Sequence, residues 1–402
     1  MRHLRNILKV FGLTLSGLLL LMVIALILLQ QGTFNRHIVS LVNRQANPAV
    51  NGQLDIGRME GNPLMAFTIR DITLVRSDTL VFGMDRLDIS YSLLDLLDRE
   101  LSVNALLLSD IDLSITQRKD STWSVSEWFV TGKQDKKGDR QPSAWQVRVG
   151  RLRVEKLNAR LSPLDQQQIP SSVHLDIQSG IYWDPDSMQV RLRDLALKTE
   201  SPAWNMNQLS GVLSKKGSRV NWSALEGQVQ GSRLKSQGTT SLDHFNGTRV
   251  IVKLDSLDLW VLHDLMPETR LYGSTDLTLE VEGDSIRQNV DLQLSGGKQR
   301  VSLSGYISNW REVPSYQIDL RSEGLDLEYW THDPQMSSSV QGALRIEGTG
   351  IDPAGSTARL EGEFDSLRWA GYTLKNLGIA LIKDQSKIEG SFNSSARFGR
   401  VG

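Results

Sequence analysis

The sequence predicts a mainly β protein in which one N-terminal transmembrane helix precedes a long, repetitive antiparallel β-region. Three observations predict it. An uncharged, almost wholly apolar run fills residues 11–29. From about residue 67 onward, apolar residues recur at every second position, the period that sends side chains alternately to the two faces of a strand. A series of strand and turn signals also recurs after roughly 65–69 residues, long enough for several strands each time.

Composition narrows the chemistry. Lys and Arg (45) balance Asp and Glu (46), for a formal net charge of −1, so no whole-chain field favours nucleic acid. Cysteine is absent, which removes disulfides, thiolate metal sites and a cysteine nucleophile. The histidines stand singly, with no pair at i, i+4. No cofactor and no metal is expected.

Residues 1–10 carry Arg2, Arg5 and Lys9, and the positive-inside rule places them in the cytoplasm. Residues 11–30 then read as an uncleaved signal anchor, close to the ~30 Å hydrocarbon thickness. A cleaved signal peptide would have a shorter apolar core and a small-x-small site, whereas this run ends Leu28-Leu29-Gln30-Gln31-Gly32. Residues 31–130 begin with Phe34, Ile38, Leu41 and Val42 at helical spacing, a short amphipathic helix ending near Asn47-Pro48.

Strand patterns follow: Phe67, Ile69, Ile72, Leu74; then Leu87, Ile89, Tyr91; then Val103, Leu106, Leu108; then Ile111, Leu113, Ile115. Residues 131–144 hold the polar, mixed-charge stretch Thr131–Ser143, read as a loop or linker. From 145 to 402 the alternation resumes, with Val147, Val149, Leu152 and Val154 first. Helical pattern returns clearly only at Ser92–Asp98 and Asp258–Leu265, the latter stopped by Pro267. At ~11–12 residues per strand with its turn, the exported region would hold ~30 strands.

The repeat sets Gln237–Leu242, Val250–Leu259 and Leu271–Gly283 against Leu303–Ile307, Tyr316–Leu327 and Val340–Gly348. Each unit contains Leu-Asp-Leu and ends in Glu-Gly. A β-unit that cannot bury its own apolar face stacks on its neighbours.

Catalytic signatures are thin. Asp110 and Asp112 fit the wet face of a strand, and Asp184-Pro-Asp186 fits a turn. Gly348-Thr-Gly350 leads into Ile351-Asp352-Pro353, with no strand–turn–helix context for a phosphate loop. Trp204, Trp222, Trp260, Trp310, Trp330 and Trp369 recur through the repeats and are expected as core or interface anchors. No catalytic residue is assigned.

The order of basic N-terminus, membrane helix, amphipathic helix, Gly52-Gln-Leu-Asp-Ile-Gly57, Phe67–Leu74, Leu87–Tyr91, Leu93–Leu97 and Leu101–Leu108 resembles the N-terminal module of AsmA-like proteins, specifically the TamB (translocation and assembly module) branch. Gly342–Pro353 and Gly371–Leu381 resemble the repeated units of that branch. The resemblance implies a sheet curved into an open, taco-like hydrophobic groove, rooted in the inner membrane with its bulk in the periplasm. It implies a non-enzymatic protein that conducts phospholipid between membranes, or assists outer-membrane protein assembly with a TamA- or BamA-type barrel. The hallmark C-terminal domain of the branch is missing, so the chain is expected to be truncated.

Residues expected to line the groove floor are Leu277, Leu279, Val281, Val290, Leu292, Leu294, Val301, Leu303, Ile318, Leu320, Leu344, Ile346, Leu360, Phe364, Leu377, Ile379 and Leu381. Alternation alone does not distinguish such a floor from the inner face of a closed β-sandwich. The alternative function is a β-augmentation scaffold that captures a substrate strand without moving lipid. A carbohydrate-binding or hydrolytic β-protein is a third, more distant reading.

Overall fold

The computed structural model describes residues 39–395, except 42, 63–64, 120–121, 129–144, 164–169, 201–202, 244, 262, 264–270, 310–311, 351, 353–354, 370–371 and 385–386. The transmembrane run, its flanks Arg2, Arg5 and Lys9, and the polar loop 131–144 lie outside the described residues. No helix among the described residues is long and apolar enough to cross a membrane. The chain divides into two compact units, Met1–Pro185 and Asp186–Gly402.

In the first unit, residues 39–41 and 43–46 are helical and lead into a 3₁₀ turn at Asn47–Ala49. Six strands follow: β1 (Gln53–Asn62), β2 (Ala66–Arg76), β3 (Thr79–Ser92), β4 (Glu100–Thr116), β5 (Gln146–Ser162) and β6 (Ser172–Trp183). The pattern at Ser92–Asp98 becomes a 3₁₀ turn, Leu94–Asp98. Each strand pairs with the next, and every pairing is antiparallel except β4 with β5. That parallel pair departs from the antiparallel expectation. Parallel neighbours need a crossover of a dozen or more residues, and the segment between β4 and β5 contains the polar stretch. Ile56, Ile72, Met84, Ile111 and Val154 form the buried core, with Val39 of the helix packed against it.

The second unit is a meander. Its strands are β7 (Ser187–Glu200), β8 (Asn205–Lys216), β9 (Arg219–Val229), β10 (Ser232–Ser241), β11 (Thr248–Asp258), β12 (Ser274–Gly283), β13 (Arg287–Gly296), β14 (Gln299–Ser308), β15 (Ser315–Leu325), β16 (Ser338–Thr349), β17 (Thr357–Trp369), β18 (Tyr372–Asp384) and β19 (Lys387–Asn393). Each pairs antiparallel with the next from β7 to β19. The predicted repeat maps β10–β11–β12 onto β14–β15–β16. A five-residue helix, Leu327–Thr331, follows β15. After β11, residues 261 and 263 are helical, and the rest of the second predicted helix lies outside the described residues.

The expectation of ~30 strands is corrected. The described residues hold nineteen, because all but the last run from 10 to 17 residues, well above the usual mode of about 5–6. Long strands suit a single sheet whose stability comes from neighbour-to-neighbour pairing.

Candidate functional site

Directly opposed residues of antiparallel strands share a face, so the register of the second unit shows where each apolar side chain goes. The predicted floor residues fall into three rungs that cross the strands. One rung runs Leu254, Leu277, Leu294, Val301, Ser322, Gly342, Phe364, Leu377. The middle rung runs Val252, Leu279, Leu292, Leu303, Leu320, Leu344, Gly362, Ile379, Phe392. The third runs Val250, Val281, Val290, Gly305, Ile318, Ile346, Leu360, Leu381. All the predicted floor residues are therefore brought onto one face. Adjacent rungs lie two residues apart along a strand, or ~6.8 Å.

Exposure gives this face its character. Every predicted floor residue except Leu377 is half-buried rather than buried. In the first unit the matching rung, Ile56, Ile72, Met84 and Ile111 on neighbouring strands of one sheet, is buried, with Val39 of the helix packed against it. Apart from Leu377, the predicted floor residues of the three rungs are less buried than that cluster. Sequence reasoning left out Val250, Val252 and Leu254, although the alternation Val250-Ile-Val-Lys-Leu254 carries them. Phe392, 69% exposed, also extends the middle rung.

The opposite face is ionic. Asp319, Arg345 and Glu361 stand in register on β15, β16 and β17. The Arg345 guanidinium donates to Asp319 Oδ1 at 2.6 Å. That bond holds the Asp319 carboxyl below its ordinary range, with a further donor in Gln317. A cavity of about 610 Å³ lies across β15–β19, lined by Leu320, Leu344, Gly362, Ile379 and Phe392 of the middle rung and by Asp319, Arg321, Arg345, Glu361 and Glu363.

A second cavity, about 390 Å³, belongs to the first unit and is lined by Phe67, Ile89, Leu106, Asp88, Arg151 and Arg153 among others. Burial works against ionisation of Asp88 there, but bonds from Arg86 and Thr68 together with the charges of Arg86 and Arg70 outweigh it and lower its pKa. Thr68 Oγ1 donates at 2.6 Å and Arg86 Nε at 3.0 Å.

The weighed chemical candidates find structural partners. Asp110 pairs with Lys156 at 3.1 Å, and Asp112 accepts from Asn158. Among the described residues, no cluster of His, Asp and Glu could hold a metal. The recurring tryptophans do not behave as one class. Trp204, Trp222 and Trp330 are half-buried, Trp260 is 43% exposed, and the side chains of Trp310 and Trp369 lie outside the described set. The deeply buried indole is Trp128, 5% exposed.

A sequence model of the AsmA family matches residues 4–299 of the 402. No curated protein and no solved structure matches the chain.

Proposed function

The chain belongs to the AsmA family, and on that premise we propose that it is a non-enzymatic cell-envelope protein of the TamB type that conducts phospholipid between the inner and outer membranes. Residues 11–30 anchor it in the inner membrane, and the strands stand in the periplasm. The acyl chains lie on the three-rung face of the second unit, which serves as the floor of an open groove, while the headgroups remain in water. The observation that carries this reading is the half-buried state of those rungs. Each methylene moved from water onto such a face contributes ~0.8 kcal/mol, so an acyl chain is held without a polar contact.

A second reading rests on β19, which is exposed at every residue and pairs only with β18 among the described residues. This reading assigns β19 strand capture by β-augmentation, in concert with a TamA- or BamA-type barrel. Mass spectrometry of organic extracts from the purified full chain separates the two. Lipid conduction predicts co-purified phospholipid. Lipid-free protein that crosslinks to unfolded outer-membrane protein through β19 contradicts lipid conduction and supports strand capture.

A further inference from the structure

From β11 to β18, every strand places apolar side chains at two or more of the three rungs. The next strand back, β10, does not. It meets the middle and third rungs with Ser236 and Gly238, opposite Val252 and Val250. The floor would break there into a hydroxyl and a hole.

Trp222 closes the break. It stands opposite Gly238 on β9, so its side chain leaves the same face. A Cβ on Gly238 would lie 2.5 Å from Trp222 Cζ2 and 2.8 Å from Cη2, so the indole rests directly on the glycine. Its Nε1 donates to Ser236 Oγ at 2.9 Å. One side chain thus roofs the hole and engages the hydroxyl. The other hydroxyl within the rungs, Ser322, is engaged as a donor, to Val340 O at 2.8 Å. The rungs carry no charged side chain and keep their hydroxyls occupied within the protein. A surface of this kind matches hydrocarbon and offers little to a peptide or a sugar.

We propose that Trp222 carries phospholipid acyl chains across β10 by direct contact, its ring continuing the apolar track from β11 toward β9. The inference rests on the lipid reading of the same face. The test uses the full chain loaded with phospholipid whose acyl chains are brominated, because bromine quenches an indole it touches. Trp222→Phe should remove more of the quenching than one tryptophan's share of the ten. Trp222→Ala should lower retained phospholipid about fourfold, the effect of losing one methylene's worth of contact, and Trp222→Phe should restore part of it.

If wild type retains phospholipid but Trp222→Phe is quenched to the same extent, the role of Trp222 is overturned while lipid conduction stands. If wild type retains none, lipid conduction itself fails. Should Trp222→Ala lose its circular dichroism, the quenching of Trp222→Phe decides alone.

Discussion

Ser256 and Gly324 occupy matching places in the repeat, and both take left-handed backbone, φ +57° and +67°. Each sits in a bulge, where the register jumps from Leu254 to Leu257 and from Ser322 to Leu325. The Leu-Asp-Leu motif follows directly, and its aspartate has a local task. Asp258 accepts from Trp260 N at 3.0 Å, and Asp326 from Glu328 N at 3.1 Å. The motif was legible in the sequence. The bulge before it was not, because serine gives no hint of positive φ. A left-handed non-glycine residue costs roughly 1–2 kcal/mol, so Ser256→Gly should raise the thermal midpoint of the second unit. Asp326→Ala should lower stability by about 1 kcal/mol through loss of the cap. Calorimetry of the two variants checks both signs.

The Asp319–Arg345 pair makes a pH prediction at the same scale. The folded carboxyl is held below its ordinary pKa. Its contribution is therefore present above the ordinary carboxylate range and is lost as pH falls through the lower folded value. The pair is solvent-screened, so the effect on stability is small. Arg345→Ala should raise the Asp319 pKa toward the ordinary range in an NMR titration, with the Gln317 bond still lowering it, and an unmoved carboxyl would show that the Arg345 bond is not formed in solution.

Among the elements, strands were the legible part. A period of two reveals which residues share a face, and all the predicted floor residues landed on one face. Pairing direction leaves no such mark, so the parallel β4–β5 pair could not be read from alternation. Nor could the protection of the first edge. Asn47 in the turn before β1 uses its carboxamide as a strand would, accepting from Leu54 N at 2.8 Å and donating to Leu54 O at 2.9 Å. An unpaired edge invites strand addition, and here side-chain chemistry occupies it. Asn47→Ala should speed hydrogen exchange at the Leu54 amide by about tenfold, the equivalent of ~1.4 kcal/mol for a lost buried bond. Exchange unchanged from wild type would show that the edge is protected by something else.

At the scale of the whole molecule, the family assignment, the near-zero net charge and the apolar face of the second unit lead to one account. On the proposed function, the protein works by presenting surface rather than by reacting. On this account the middle rung through Leu292, Leu303 and Leu344, with its two neighbours, forms an open hydrocarbon-binding floor. Leu303→Asp, at the middle rung between Leu292 and Leu320, tests it most directly. In a closed core, an unpaired carboxylate costs several kcal/mol and unfolds the unit. On an open floor it reaches water and repels acyl chains. Circular dichroism and bound phospholipid, measured together on Leu303→Asp and wild type, should show an intact β-spectrum with lipid content reduced. An unfolded variant, or a folded one with lipid content equal to wild type, would contradict the account.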